Sequence, residues 1–213
     1  MTFGEKMTTP QVQLRQWKDA DLDGFAAMNE DVEVMRYFLA PLSAEESRHS
    51  LQRFRQAIDE RGWGLWAVEV DGAFAGFTGL SEPTFAAHFT PCVEIGWRFR
   101  REYWGRGIAF AAAQKAEHYA FTVLGLDQLV SFTTEANLRS RRLMERLGFA
   151  RNSSDDFWHP KIADGHPMGR HVLYRKTKPN KTDAGNGSNG LCRVIDVLRS
   201  PSPDPRRSPD PNP

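Results

Sequence analysis

The chain has 213 residues, enough for one substantial core but cramped for two domains at roughly 100–200 residues each. Its 28 lysines and arginines nearly cancel 27 aspartates and glutamates, so no global field draws it to nucleic acid or to an anionic membrane. The apolar runs fall far short of the roughly 18 residues a membrane span needs, and the two cysteines, Cys92 and Cys192, can build neither a disulfide framework nor a zinc site.

In chain order, residues 1–9 read as a flexible lead-in without the charged start and apolar run of a signal peptide. A single domain is expected over 10–177. It opens with a strand over 12–17, then a helix begun by Asp19 and Asp21 and running through 28. Ser43-Ala-Glu-Glu is a capping signature for an amphipathic helix to about 58. Strands over 64–70 and 73–80 are joined by Asp71-Gly72, a strong hairpin signal. A strand over 92–99, a helix over 105–124, a strand over 128–134, a helix over 138–147 and a strand over 171–175 follow. Gly148 falls where a helix end favours positive φ. The pattern is α+β, a mostly antiparallel sheet with one strand–helix–strand unit in the middle. More than half of the 13 prolines lie from Pro179 onward. Residues 178–213 therefore read as a disordered tail, interrupted by the short apolar island LCRVIDVL over 191–198.

The chemistry concentrates at the middle strand–helix junction, Tyr103-Trp-Gly-Arg-Gly-Ile-Ala109. Gly105 and Gly107 lack a Cβ, so backbone N–H groups can converge at the helix N-terminus, where the helix dipole also favours a phosphate. Arg106 can add a charged contact. By itself this is equally an ordinary tight turn. On the preceding strand Glu94, Gly96 and Arg98 share one face, and Val93, Ile95, Trp97 and Phe99 the other. Glu94 is the general-base candidate, or else an exposed strand carboxylate. Asn137 is a ready N-cap for the next helix. His159, His166 and His171 are too irregularly spaced for a metal site, and nothing beside Cys92 would activate it as a nucleophile.

Taken together, EIGWRFRREYWGRGIA, YAFTVLGLDQLVSFTTEANLRSRRLMERLGF and the closing DDFWHP…GHP…HVLYR resemble the GNAT N-acetyltransferase superfamily, nearest its RimJ/RimL-like branch. The resemblance runs over about 12–175. It implies a mixed, mostly antiparallel sheet flanked by helices, with two parallel strands splayed apart at the cofactor site. Acetyl-CoA would lie in that gap, paired with the backbone of Trp97, Arg98 and Phe99. Its diphosphate would rest on Trp104, Gly105, Arg106, Gly107, Ile108 and Ala109, with Asn137 and Ser140 near the thioester. Trp104 and Phe110-Ala111 depart from the wider family pattern, and Met144 stands where many members carry a proton-donating tyrosine.

The resemblance implies direct acetyl transfer to a primary amine, a protein N-terminus or a small molecule, in a ternary complex. Glu94 would be the base and a Trp97 amide the oxyanion donor. With Met144 unable to donate, Ser140 or a water would protonate the thiolate. Phe38, Trp66 and His159 are expected to wall the acceptor site. Neither a metal, a nucleic acid nor a membrane is expected as a partner, and the setting is cytoplasmic, as monomer or homodimer. The rival reading is a non-catalytic acyl-CoA-binding regulatory module.

Overall fold

The structure, a computed structural model, describes residues 11–179. The expectations for 1–9 and for nearly all of the tail, including 191–198, lie outside the described residues. Eight strands form one sheet in the order β1-β2-β3-β4-β5-β8-β6, with β7 paired to β8. They are β1 (Val12–Arg15), β2 (Leu65–Val70), β3 (Ala73–Ser81), β4 (Glu94–Phe99), β5 (Gln128–Thr134), β6 (Ala150–Arg151), β7 (Phe157–Trp158) and β8 (Arg170–Thr177). Every pairing is antiparallel except β4 with β5. The α+β expectation, with one parallel pair, holds.

Strand alternation sorts the helices onto two faces. Helices α1 (Leu22–Glu30) and α2 (Ala44–Arg61) cover the face on which Phe77 meets Phe25 and Phe54, alongside Trp17. Helix α3 (Ile108–Thr122) covers the other, where Tyr119 meets Trp66 edge-on. Ala112, Ala113, Ala116 and Ala120 are completely buried, so this helix lies close against the sheet. Helix α4 (Leu138–Arg146) packs beside α3 and β5.

Several boundaries differ from the sequence pattern for local reasons. β1 stops at Arg15, whose side chain bonds Asp21 and Glu69, and a 3-10 turn (Asp19–Asp21) precedes α1. α3 begins at Ile108 because Gly105 (φ 73°) and Gly107 (φ 76°) are left-handed and outside the helix. The capping box at Ser43 and Glu46 and the positive φ of Gly148 (82°) form as the sequence implies.

The β4–β5 pair positions the site. It holds at one register point, Glu94 opposite Val130, with Val130 N donating to the Val93 carbonyl at 3.0 Å. The Ser131 hydroxyl then donates to the Ile95 carbonyl at 2.9 Å. Beyond this point β4 and β5 share no further paired residues, and a gap opens between them.

Candidate active site

A cavity of about 910 Å³ passes through this gap, lined by residues of both sheet faces. On the α3 face it is bounded by Trp97, Gly105, Gly107, Asn137 and Ser140. On the α1–α2 face it reaches Phe38, Ser81, Glu94, Arg98, His159 and His171.

The turn at the α3 N-terminus has the build of an anion cradle. Gly107 is the N-cap, no side chain satisfies the first amides, and the first turn has no acid. α2 is the contrast, since Ser43 and Glu46 occupy its N-terminal groups internally. A Cβ placed on Gly105 or Gly107 would meet nothing within 4 Å, so the space above these amides is left open by the protein. Unpaired N–H groups at a helix start, together with the dipole, attract a phosphate oxygen. Ile108 turns its side chain into the core, leaving only its amide to the turn. The Trp104 indole donates to the Phe99 carbonyl at 2.9 Å and so braces the turn against the strand. Arg106 is exposed and stacks on Tyr103, outside the cavity lining.

Three arginines of α4 stand around this turn. Arg139, Arg142 and Arg146 all line the cavity, Arg139 over the Trp104 ring at 4.3 Å and Arg146 over Phe110 at 4.6 Å. Their spacing of three and four along α4 was the available signal.

Asn137 does cap α4. Its Oδ1 accepts from Ser140 N at 3.3 Å while its Nδ2 donates to Thr133 Oγ1 at 2.9 Å, and it still borders the cavity. The Trp97 indole donates to Ser140 Oγ at 3.1 Å, tying β4 to α4 across the gap. That bond uses an acceptor site on the serine, so its proton is left for another partner. Met144 is buried, 1% exposed, at the cavity edge.

On the opposite face Glu94 accepts from Ser81 at 3.4 Å, and burial pushes its carboxyl up to about 8 against that weak bond. His159 and His171 lie 5.0 Å apart, ring centre to ring centre, and burial lowers both below the usual imidazole range. The sequence did not place His171 at the cavity because that position depends on β8 pairing with β5, with His171 opposite Thr134. Phe38 borders the cavity, 42% exposed, with the Arg98 guanidinium 4.1 Å from its ring centre.

Two expected placements need correction. Trp66 is not on the cavity; alternation along β2 sends its ring under α3, where it is 2% exposed. Arg98, whose backbone was expected to pair with the coenzyme, directs its side chain to the α1–α2 face as strand alternation implies, where it donates to Asn29 Oδ1 at 2.6 Å. Its backbone faces β3, with the carbonyl against Gly76, and not the open gap. Phe99 is likewise buried, 4% exposed, and presents its carbonyl to Trp104. The Cys92 thiol is pushed up to about 11 by burial and the Glu94 charge, so it stays protonated. Among the described residues no group of His, Cys, Asp and Glu could hold a metal, and no helix is long and apolar enough to cross a membrane.

Comparison with known proteins identifies this arrangement. The family model for an acetyltransferase (GNAT) domain matches residues 11–150, well over half the chain. The chain belongs to the GNAT acetyltransferases. It falls in their RimJ/RimL-like branch and is an acetyl-CoA-dependent N-acetyltransferase. The protein YkkB of Bacillus subtilis (strain 168) is 26% identical over 168 residues, 76% of this acetyltransferase and 95% of YkkB. The spermidine N(1)-acetyltransferase of Escherichia coli (strain K12) is 31% identical, the match covering 65% of this chain and 73% of that enzyme. A GNAT-family acetyltransferase from Bacillus anthracis shares the fold with a TM-score of 0.64 at 22% identity, over 80% and 97% of the two chains.

Proposed function

We propose that this acetyltransferase moves the acetyl group of acetyl-CoA directly onto a primary amine, with both substrates bound in the one cavity. The observation that carries the reading is the continuity of that cavity, from the uncapped N-terminus of α3 through the β4–β5 gap to Glu94. The amides of the 105–109 turn would hold the diphosphate, with the α4 arginines supplying charge beside it. The unpaired backbone of β4, at Trp97, is suited to receive the oxygen of the reacting carbonyl.

On the acceptor side Glu94 takes a proton from the ammonium, so that the nitrogen lone pair can attack. A carboxyl with a pKa near 8 is a much stronger base than an ordinary glutamate and closer to an amine in proton affinity. The new C–N bond forms as the C–S bond breaks, and the Ser140 hydroxyl is the donor positioned for the departing thiolate. Holding both reactants in one channel supplies much of the rate. The Escherichia coli relative, whose name gives an amine as its substrate, supports a small primary amine as acceptor.

The test is thiol release from acetyl-CoA with a panel of small primary amines and N-terminal peptides. Saturable turnover with at least one primary amine is expected. Transfer only to hydroxyl or thiol acceptors, or a double-displacement pattern with a stable acyl-enzyme, would sink the reading.

A further inference from the structure

Arg98 is a charged group that the acetyl-transfer chemistry does not use. It sits on the acceptor face, its guanidinium between the rings of Phe38 at 4.1 Å and Phe77 at 5.4 Å, with Asn29 as its hydrogen-bond acceptor. Its Nε is buried and has no partner. No carboxylate among the described residues pairs with it. The acids of the neighbouring 31–33 segment are engaged elsewhere, Asp31 with Arg101 at 2.7 Å and Glu33 with Arg36 at 3.8 Å. Desolvation holds its pKa down to about 10, still charged at neutral pH. Burying a cation with one neutral acceptor is costly, and rings offset only part of that cost.

Glu94 is the mirror case on the same face of the same strand, a half-buried, desolvated carboxyl with only Ser81 as partner and no cation within ion-pair distance among the described residues. One face of β4 therefore presents a desolvated acid and a desolvated cation to one cavity, neither with a counter-ion among the described residues. We propose that the acceptor is a primary amine that also carries a carboxylate, with the amine at Glu94 and the carboxylate on the Arg98 guanidinium. This rests on the acetyl-transfer reading above and names its substrate class. A planar guanidinium on the cavity lining suits a carboxylate.

The geometry also favours a spacer between the two charges. Residues 94 and 98 are roughly 13 Å apart along the strand. The Glu94 carboxyl leans toward Gly96, lying 3.9 Å from where a Cβ on that glycine would be. About 6–7 Å of strand then remain to Arg98. With the Arg98 side chain running on to Phe38 and Asn29, charges set apart in this way suit an ω-amino carboxylate better than an α-amino acid. A diamine of the same length sets its second ammonium against Arg98.

The experiment compares kcat/KM for 5-aminopentanoate, pentylamine and 1,5-diaminopentane with acetyl-CoA at pH 8, in the native protein, in Arg98→Gln and in Arg98→Lys. In the native protein 5-aminopentanoate leads pentylamine by about tenfold or more, and 1,5-diaminopentane trails both. Arg98→Gln brings the carboxylate-to-pentylamine ratio to about one, while Arg98→Lys keeps part of it. A purely structural arginine would depress all three amines together and leave the ratio unchanged, which overturns the proposal. Equal or better native turnover of pentylamine or 1,5-diaminopentane overturns the carboxylate subsite and leaves acetyl transfer standing. Turnover of none of the primary amines, here or in the wider panel, overturns the acetyl-transfer reading and this inference with it.

Discussion

The two ends of the cavity are built on different principles. The turn end is made mostly of backbone from one continuous stretch, β4 through the start of α3, and its donors are amides that any side chain leaves intact. The acceptor end is made of side chains from separate segments: Phe38 before α2, Ser81 on β3, Glu94 and Arg98 on β4, His159 after β7 and His171 on β8. A backbone site suits a group that all substrates of the class share, which in the proposed reading is the diphosphate. A side-chain site can change its chemistry one residue at a time without disturbing the other end.

The largest effect that would test this division is at Glu94. Glu94→Gln should lower kcat/KM at pH 7 by about 10²–10⁴, the range for losing a general base. The native rate should climb with pH until Glu94 ionises near 8, and the variant should lose that limb. A loss uniform across pH would assign the residue to positioning. Trp66→Ala should cost about 3–5 kcal/mol in urea unfolding with no change in acceptor preference, as for a core aromatic outside the site. A changed acceptor preference would return Trp66 to the acceptor wall.

Glu94 also couples stability to pH. Its folded pKa of about 8 lies above the ordinary 4.5, so between these values the folded state holds a proton that the unfolded chain has released. Stability of the ligand-free protein should therefore fall as pH rises through this window, and level off above 8. Glu94→Gln should remove that fall, gaining on the order of 2–4 kcal/mol relative to the native protein at pH 9. Melting temperatures across pH read it, and parallel curves for the two proteins would remove the burial argument.

At the turn end, Gly107→Val places a β-branched residue at φ 76°, a strain of about 1–3 kcal/mol, and puts atoms into the space above the amides. Acetyl-CoA affinity should weaken by about tenfold, seen by titration calorimetry. Unchanged affinity would move the diphosphate elsewhere. The smallest effect belongs to the tie across the gap. Trp97→Phe removes the indole bond to Ser140 and should cost about 0.5–1.5 kcal/mol in thermal unfolding. A larger loss would mean the tie also holds the gap open.

How well each element could be read from the chain follows its range. The Asp71-Gly72 hairpin is a two-residue event, and it forms with Val70 opposite Ala73 and both turn residues at positive φ. The Ser43–Glu46 capping box and the two turn glycines are equally local. β6 and β7 were invisible because two residues carry no periodicity, and they exist only by pairing with β8. Trp66 was misplaced because alternation divides a strand into two faces without saying which one meets the cavity.

By itself the sequence determined the order of elements, the backbone turn that suits a phosphate and the family to which the chain belongs. All of these depend on residues close together along the chain, where steric preference and hydrogen-bond pattern act within a few bonds. Only the tertiary structure decided that β4 and β5 part after Ile95, that the α4 arginines flank the turn and that Arg98 lines the cavity with no carboxylate partner among the described residues. Those outcomes depend on which distant segments supply, or withhold, a counter-ion and a cover, and burial converts such absences into chemistry.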